Sequence, residues 1–127
     1  MERKATSSRT AAQRSTVLTN AVIRAAKLLD VSQAKMAQTL GVSESTASRM
    51  FSGRYFLERN RGKEWELAAL FVRLFRSLDS LLASEEKARA WLNSRNSALG
   101  APPIELISRA EGLVSVLHYL DSARGRI

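Results

Sequence analysis

The chain has no cysteine, one histidine and two prolines among its 127 residues. Without cysteine there is no disulfide staple, no thiolate zinc site and no cysteine nucleophile, and a reducing compartment is the natural setting. The lone His118 has no second histidine to complete a ligand set. Proton-transfer chemistry needs a partner within hydrogen-bond reach, and no motif around His118 supplies one. The expectation is therefore no enzyme, no metal and no cofactor. Long apolar runs are also missing, since no segment approaches the roughly 18 residues of a membrane span. The basic N-terminus has no apolar stretch behind it, unlike a signal peptide. These absences lead to the expectation of a soluble, cytoplasmic protein. Alternating strand patterns and internal repeats are absent too, which leaves an all-α chain.

What is present is an apolar share of 45%, enough for one ordinary domain or two small ones. Acidic residues are scarce, 12 against 20 basic ones, for a net charge of +8. The imbalance is uneven. Residues 1–63 hold 12 Lys+Arg and 4 Asp+Glu, whereas residues 64–127 hold 8 of each. All the excess positive charge lies in the first half.

Residues 1–15 are rich in Ser, Thr, Arg and Lys without apolar periodicity, and are expected to form a flexible basic arm. Leu18, Val22, Ala25 and Leu29 then predict a helix over about 16–29. Two short helices follow, over 33–40 and 44–52. Between them Gly41 suits a left-handed helix stop, and Ser43 can cap the next helix. Met36, Leu40, Val42, Ala47 and Met50 supply the contacts between the pair, and small Ala37 permits close approach. A basic loop, Arg54 to Lys63, separates this unit from a long helix over 64–82. That helix is striped by Leu67, Phe71, Leu74, Leu78 and Leu81. Ser84 caps a further helix through Leu92, Pro103 opens a short one, and a last helix spans about 111–123 with Leu113, Val116, Leu117 and Leu120 on one face. The expected division is an arm at 1–15, a first helical module at 16–63 and a second helical module at 64–127.

The 33–52 stretch resembles the phage-repressor-like, Xre-type helix-turn-helix, so operator DNA is the expected partner of the basic half. A recognition helix meets base edges with its N-terminal residues. Arg49 can bridge guanine O6 and N7, Ser45 and Ser48 can donate or accept, and Glu44 can accept from cytosine N4. Each has a plainer role as well: Glu44 suits the helix dipole, the serines suit a polar surface, and Arg49 suits a phosphate. Gln33, Lys35 and Arg54 are phosphate candidates, and Ser43 sits at the cap beside them. A homodimer on a pseudo-palindromic site is expected of such a module. Both the long helix at Phe71 and Phe75 and the C-terminal module remain candidates for the dimer contact.

The neutral half carries Trp91-Leu92-Asn93, Asn96-Ser97-Ala98-Leu99-Gly100, Pro103-Ile104-Glu105-Leu106 and Glu111-Gly112 followed by Val116. In this order the set resembles the C-terminal toxin-binding domain of the MbcA/ParS/Xre antitoxins. The resemblance implies a type II antitoxin. Its cognate toxin would be a RES-domain protein that degrades NAD or transfers ADP-ribose, and the antitoxin would repress the shared operon. It nominates Asn96, Leu99, Gly100, Tyr119 and a Gly-hinged tail of Arg124, Gly125, Arg126 and Ile127 as toxin contacts. Trp91, Leu99, Val116 and Leu120 also read as core, and Gly112 and Pro103 as backbone devices. The rival reading is a stand-alone repressor whose second module only dimerises.

Overall fold

The computed structural model describes residues 2–125, with side chains described from Thr10 onward. Helices take up 73% of the chain, and no strand occurs among the described residues. Seven helices occur among the described residues: α1 (Glu2–Leu28), α2 (Gln33–Leu40), α3 (Glu44–Phe51), α4 (Gly62–Leu82), α5 (Glu85–Asn93), α6 (Pro103–Leu106) and α7 (Ala110–Gly125). The only β feature described is an isolated antiparallel bridge between Asn96 and Ala101.

The largest departure from expectation is at the start. Residues 2–15 are helical, continuing α1 toward the N-terminus instead of forming a loose arm. Ala5, Ala11, Ala12, Gln13 and Arg14 are strong helix formers. Once the apolar part of α1 is nucleated, each further turn is cheap to add. At its other end α1 stops at Leu28, and Leu29 lies outside the helix but is buried.

α4 packs against more of the other helices than any other helix does. Leu67, Phe71, Leu74 and Leu78 recur at helical spacing and are all buried, while Ala68 and Val72 bury an adjoining stripe. A broad apolar surface lets this one helix pack against α1, α2, α5 and α7. Burying a side chain the size of Phe71 stabilises by about 1.5–3 kcal/mol. Phe71 has no exposed surface, so it cannot form a dimer contact, and Phe75 is half-buried. α7 answers with Leu113, Val116, Leu117 and Leu120, all buried as the spacing predicts.

Candidate nucleic-acid interface and partner module

α2 and α3 are bounded by local signals that work as expected. Ser32 accepts the Lys35 amide at 3.1 Å and caps α2. Gly41 adopts φ 72°, a left-handed stop that a Cβ would strain. From that turn the Gly41 and Val42 amides reach back to the Gln38 and Ala37 carbonyls. Ser43 accepts the Thr46 amide at 3.1 Å and so caps α3. Its hydroxyl also donates to Thr46 Oγ1 at 2.9 Å, and Arg49 Nη2 donates to that same oxygen at 3.2 Å. Ser43 is thus engaged in the turn, and Thr46, which sequence reasoning passed over, is the hub of a polar network along α3.

Met36, Leu40, Ala47 and Met50 are buried between the two helices, and Ala37 is buried with them. The opposite side of α3 is open: Glu44, Ser45, Ser48 and Arg49 are all exposed. Gln33 at the start of α2 and Arg54 just beyond α3 are exposed too, and Lys35 is half-exposed.

The basic loop after α3 is anchored, which sequence alone did not reveal. Leu57 is fully buried, and its amide donates to the buried Thr19 hydroxyl of α1 at 2.9 Å. The Ser15 hydroxyl donates to the Leu57 carbonyl. The Tyr55 phenol, from the start of the loop, donates to Glu64 Oε2 at 2.6 Å and accepts from Arg61 Nη1 at 2.9 Å. Partial burial, followed by the carboxylate, holds the phenol above its ordinary range, while Arg61 pulls the other way.

In the second half, Asn96 builds a loop. Its side-chain oxygen accepts the Ala98 and Leu99 amides at 3.0 and 3.1 Å, and its carbonyl accepts the Gly100 amide at 2.8 Å. Leu99 is half-buried against the core, and Gly100 turns the chain at φ 82°. Tyr119 stacks on Trp91 with ring centroids 6.1 Å apart. Both line an apolar cavity of about 210 Å³ with Leu78, Leu81, Leu82 and Ala123. Gly112 is held close: a Cβ there would lie 2.0 Å from the Leu106 carbonyl oxygen. The hinged tail is not found as expected, because Arg124 and Gly125 continue α7. Arg126 and Ile127 lie outside the described residues.

Arg89 of α5 ties the second half to the first by donating to the Leu28 carbonyl at the end of α1 at 2.8 Å. Within the second half, Arg73 of α4 pairs with Asp121 of α7 at 2.5 Å.

The model of the Xre-like antitoxin helix-turn-helix domain matches residues 8–73, more than half of the chain. The chain belongs to this antitoxin family. The antitoxin Xre/MbcA/ParS C-terminal toxin-binding domain matches residues 77–126. A helix-turn-helix domain joined to a toxin-binding domain is the make-up of a type II antitoxin, and this family is not one of enzymes. The first match begins inside the segment expected to be an arm and ends at residue 73 within α4, where the second begins at residue 77. No curated protein matches the antitoxin. No described helix is long and apolar enough to cross a membrane.

Proposed function

We propose that this antitoxin represses its own operon by reading the major groove with α3, and silences a RES-domain toxin that consumes NAD or transfers ADP-ribose. The observation that carries the DNA half is the division of α3, with Ala47 and Met50 buried and Glu44, Ser45, Ser48 and Arg49 open to solvent. In this reading those four side chains face base edges, and Gln33, Lys35 and Arg54 meet phosphate. Ser43 contributes by fixing the first turn of α3. The excess positive charge of residues 1–63 supplies the counterion-release term, and a homodimer sets the spacing of two half-sites. The toxin half rests on the match at residues 77–126. Within it the loop at Asn96, Leu99 and Gly100, the Tyr119 face and the end of α7 from Arg124 onward are the proposed contacts. The cytoplasm is the proposed setting for both tasks.

Two assays test the reading. In a gel shift on the promoter fragment, Arg49→Ala costs about 1–3 kcal/mol and relaxes preference at one base. A loss uniform over all sequences reassigns Arg49 to the phosphate backbone. In co-expression with the adjacent gene, the same variant still rescues growth and prevents NAD loss, whereas a chain ending at Ala123 does not. Neutralisation that collapses in a folded Arg49→Ala protein would overturn the division of labour.

A further inference from the structure

Few large apolar side chains are exposed on the described surface, and the most exposed of them, Val17, is 68% accessible. It does not stand alone. Val17 lies in a groove of about 370 Å³ between the middle of α1 and α4, with Leu18, Trp65 and Val72 along its walls. The walls run from Thr10 to Ala21 on α1 and from Trp65 to Arg76 on α4, about three helical turns each. Arg14 comes from one wall and Arg76 from the other, and the lining contains no carboxylate. Neither arginine has an ion-pair partner among the described residues.

We infer that this groove is a second docking surface, which takes an acidic amphipathic helix from another polypeptide. An apolar stripe of about three turns would lie against Val17, Trp65 and Val72, with carboxylates beside the stripe reaching Arg14 and Arg76. Charge complementarity selects an acidic occupant. A second copy of this chain is a poor source of one. Its longer acidic helices are α4, with Glu64, Glu66 and Asp79, α5, with Glu85 and Glu86, and α7, with Glu111 and Asp121. α4 already buries Leu67, Phe71, Leu74 and Leu78 in the core. α5 already buries Ala88 and Leu92, and α7 already buries Leu113, Val116, Leu117 and Leu120. The groove also lies outside residues 77–126, so it is distinct from the toxin-binding module.

The test uses the full-length antitoxin and a synthetic helical peptide of about four turns. Leu occupies one face at helical spacing, and Glu flanks that face. A twin peptide carries Lys in place of Glu. Fluorescence anisotropy should show saturable binding of the Glu peptide and a much weaker response to the Lys peptide. Arg14→Glu combined with Arg76→Glu should weaken the Glu peptide about tenfold and strengthen the Lys peptide. Val17→Asp, at an exposed position that leaves the core intact, should abolish binding of both. Absence of saturable binding would overturn the inference, as would binding indifferent to the charge reversal. A self-association that Val17→Asp abolishes, seen by sedimentation, would also overturn it, by making a second copy the occupant. Operator binding and neutralisation are measured on the same preparations. Their failure in the unmodified protein would count against the proposed function alone.

Discussion

The two halves of the antitoxin solve the problem of presenting a surface in opposite ways. In the first half, two helices of eight residues are fixed by caps and a left-handed glycine, and the face they present is polar and exposed. In the second, a longer helix, a side-chain-built loop and a close glycine contact shape a module with an apolar cavity and no net charge. A groove reader needs rigid placement of a few polar groups against a uniform charged lattice. A clamp for one protein needs shape instead. Both depend on α4, whose apolar surface serves the two halves at once, so the halves differ in surface but share a core.

Phe71→Ala is the largest blow to that shared core. Removing a ring with no exposed surface should cost about 3–5 kcal/mol. If α4 is common property, urea unfolding stays a single transition and operator binding and neutralisation fall together. Two separate transitions, with one activity spared, would show that the halves fold independently. Gly112→Ala comes next. Its Cβ would collide with the Leu106 backbone, for a cost of about 2–3 kcal/mol. Here the comparison predicts asymmetry. At a temperature where the variant remains folded, neutralisation should weaken more than operator binding, and equal losses would argue against a local role for the α6–α7 contact.

Ser43→Ala is smaller and points the other way. Loss of the α3 cap should cost about 1 kcal/mol. It also removes the donor to Thr46 Oγ1, the atom that holds Arg49, so operator affinity should drop while neutralisation is unchanged. A gel shift and a growth-rescue assay on the same variant separate the two. An unchanged gel shift would mean that the cap does not set the reading geometry of α3.

The contrast between the halves also explains what the sequence disclosed. α2 appears at the expected residues and α3 ends one residue earlier, because Ser32, Gly41 and Ser43 act within three or four positions of themselves. The stripes of α4 and α7 were legible for a similar reason, periodicity being a local property of the chain. The N-terminal part of α1 was not, since it is helical by propensity and extension, without an apolar stripe to announce it. The contacts that tie the molecule together join residues far apart: Arg89 to Leu28, Thr19 to Leu57, Arg73 to Asp121. No pattern in a single sequence marks such pairs. The same holds for Asn96, which reads as a partner contact but whose side chain is committed to its own loop.

The least disruptive test concerns the junction between the basic loop and α4. The Tyr55 phenol donates to Glu64, and its titration is displaced upward from 10.0 by burial and by that carboxylate. The folded state therefore favours the protonated phenol more than the unfolded state does. Its contribution to stability is complete below pH 10 and is lost as pH rises through the higher folded value. Arg61 remains cationic through that range, as a guanidinium does in proteins generally. Tyr55→Phe should accordingly be less stable than the unmodified antitoxin by a constant margin from pH 7 to about 9, and the margin should close above pH 10. Urea midpoints at a series of pH values measure it. No margin at any pH would mean that Tyr55 contributes as a ring alone, and that the loop is held by Leu57 rather than by Glu64.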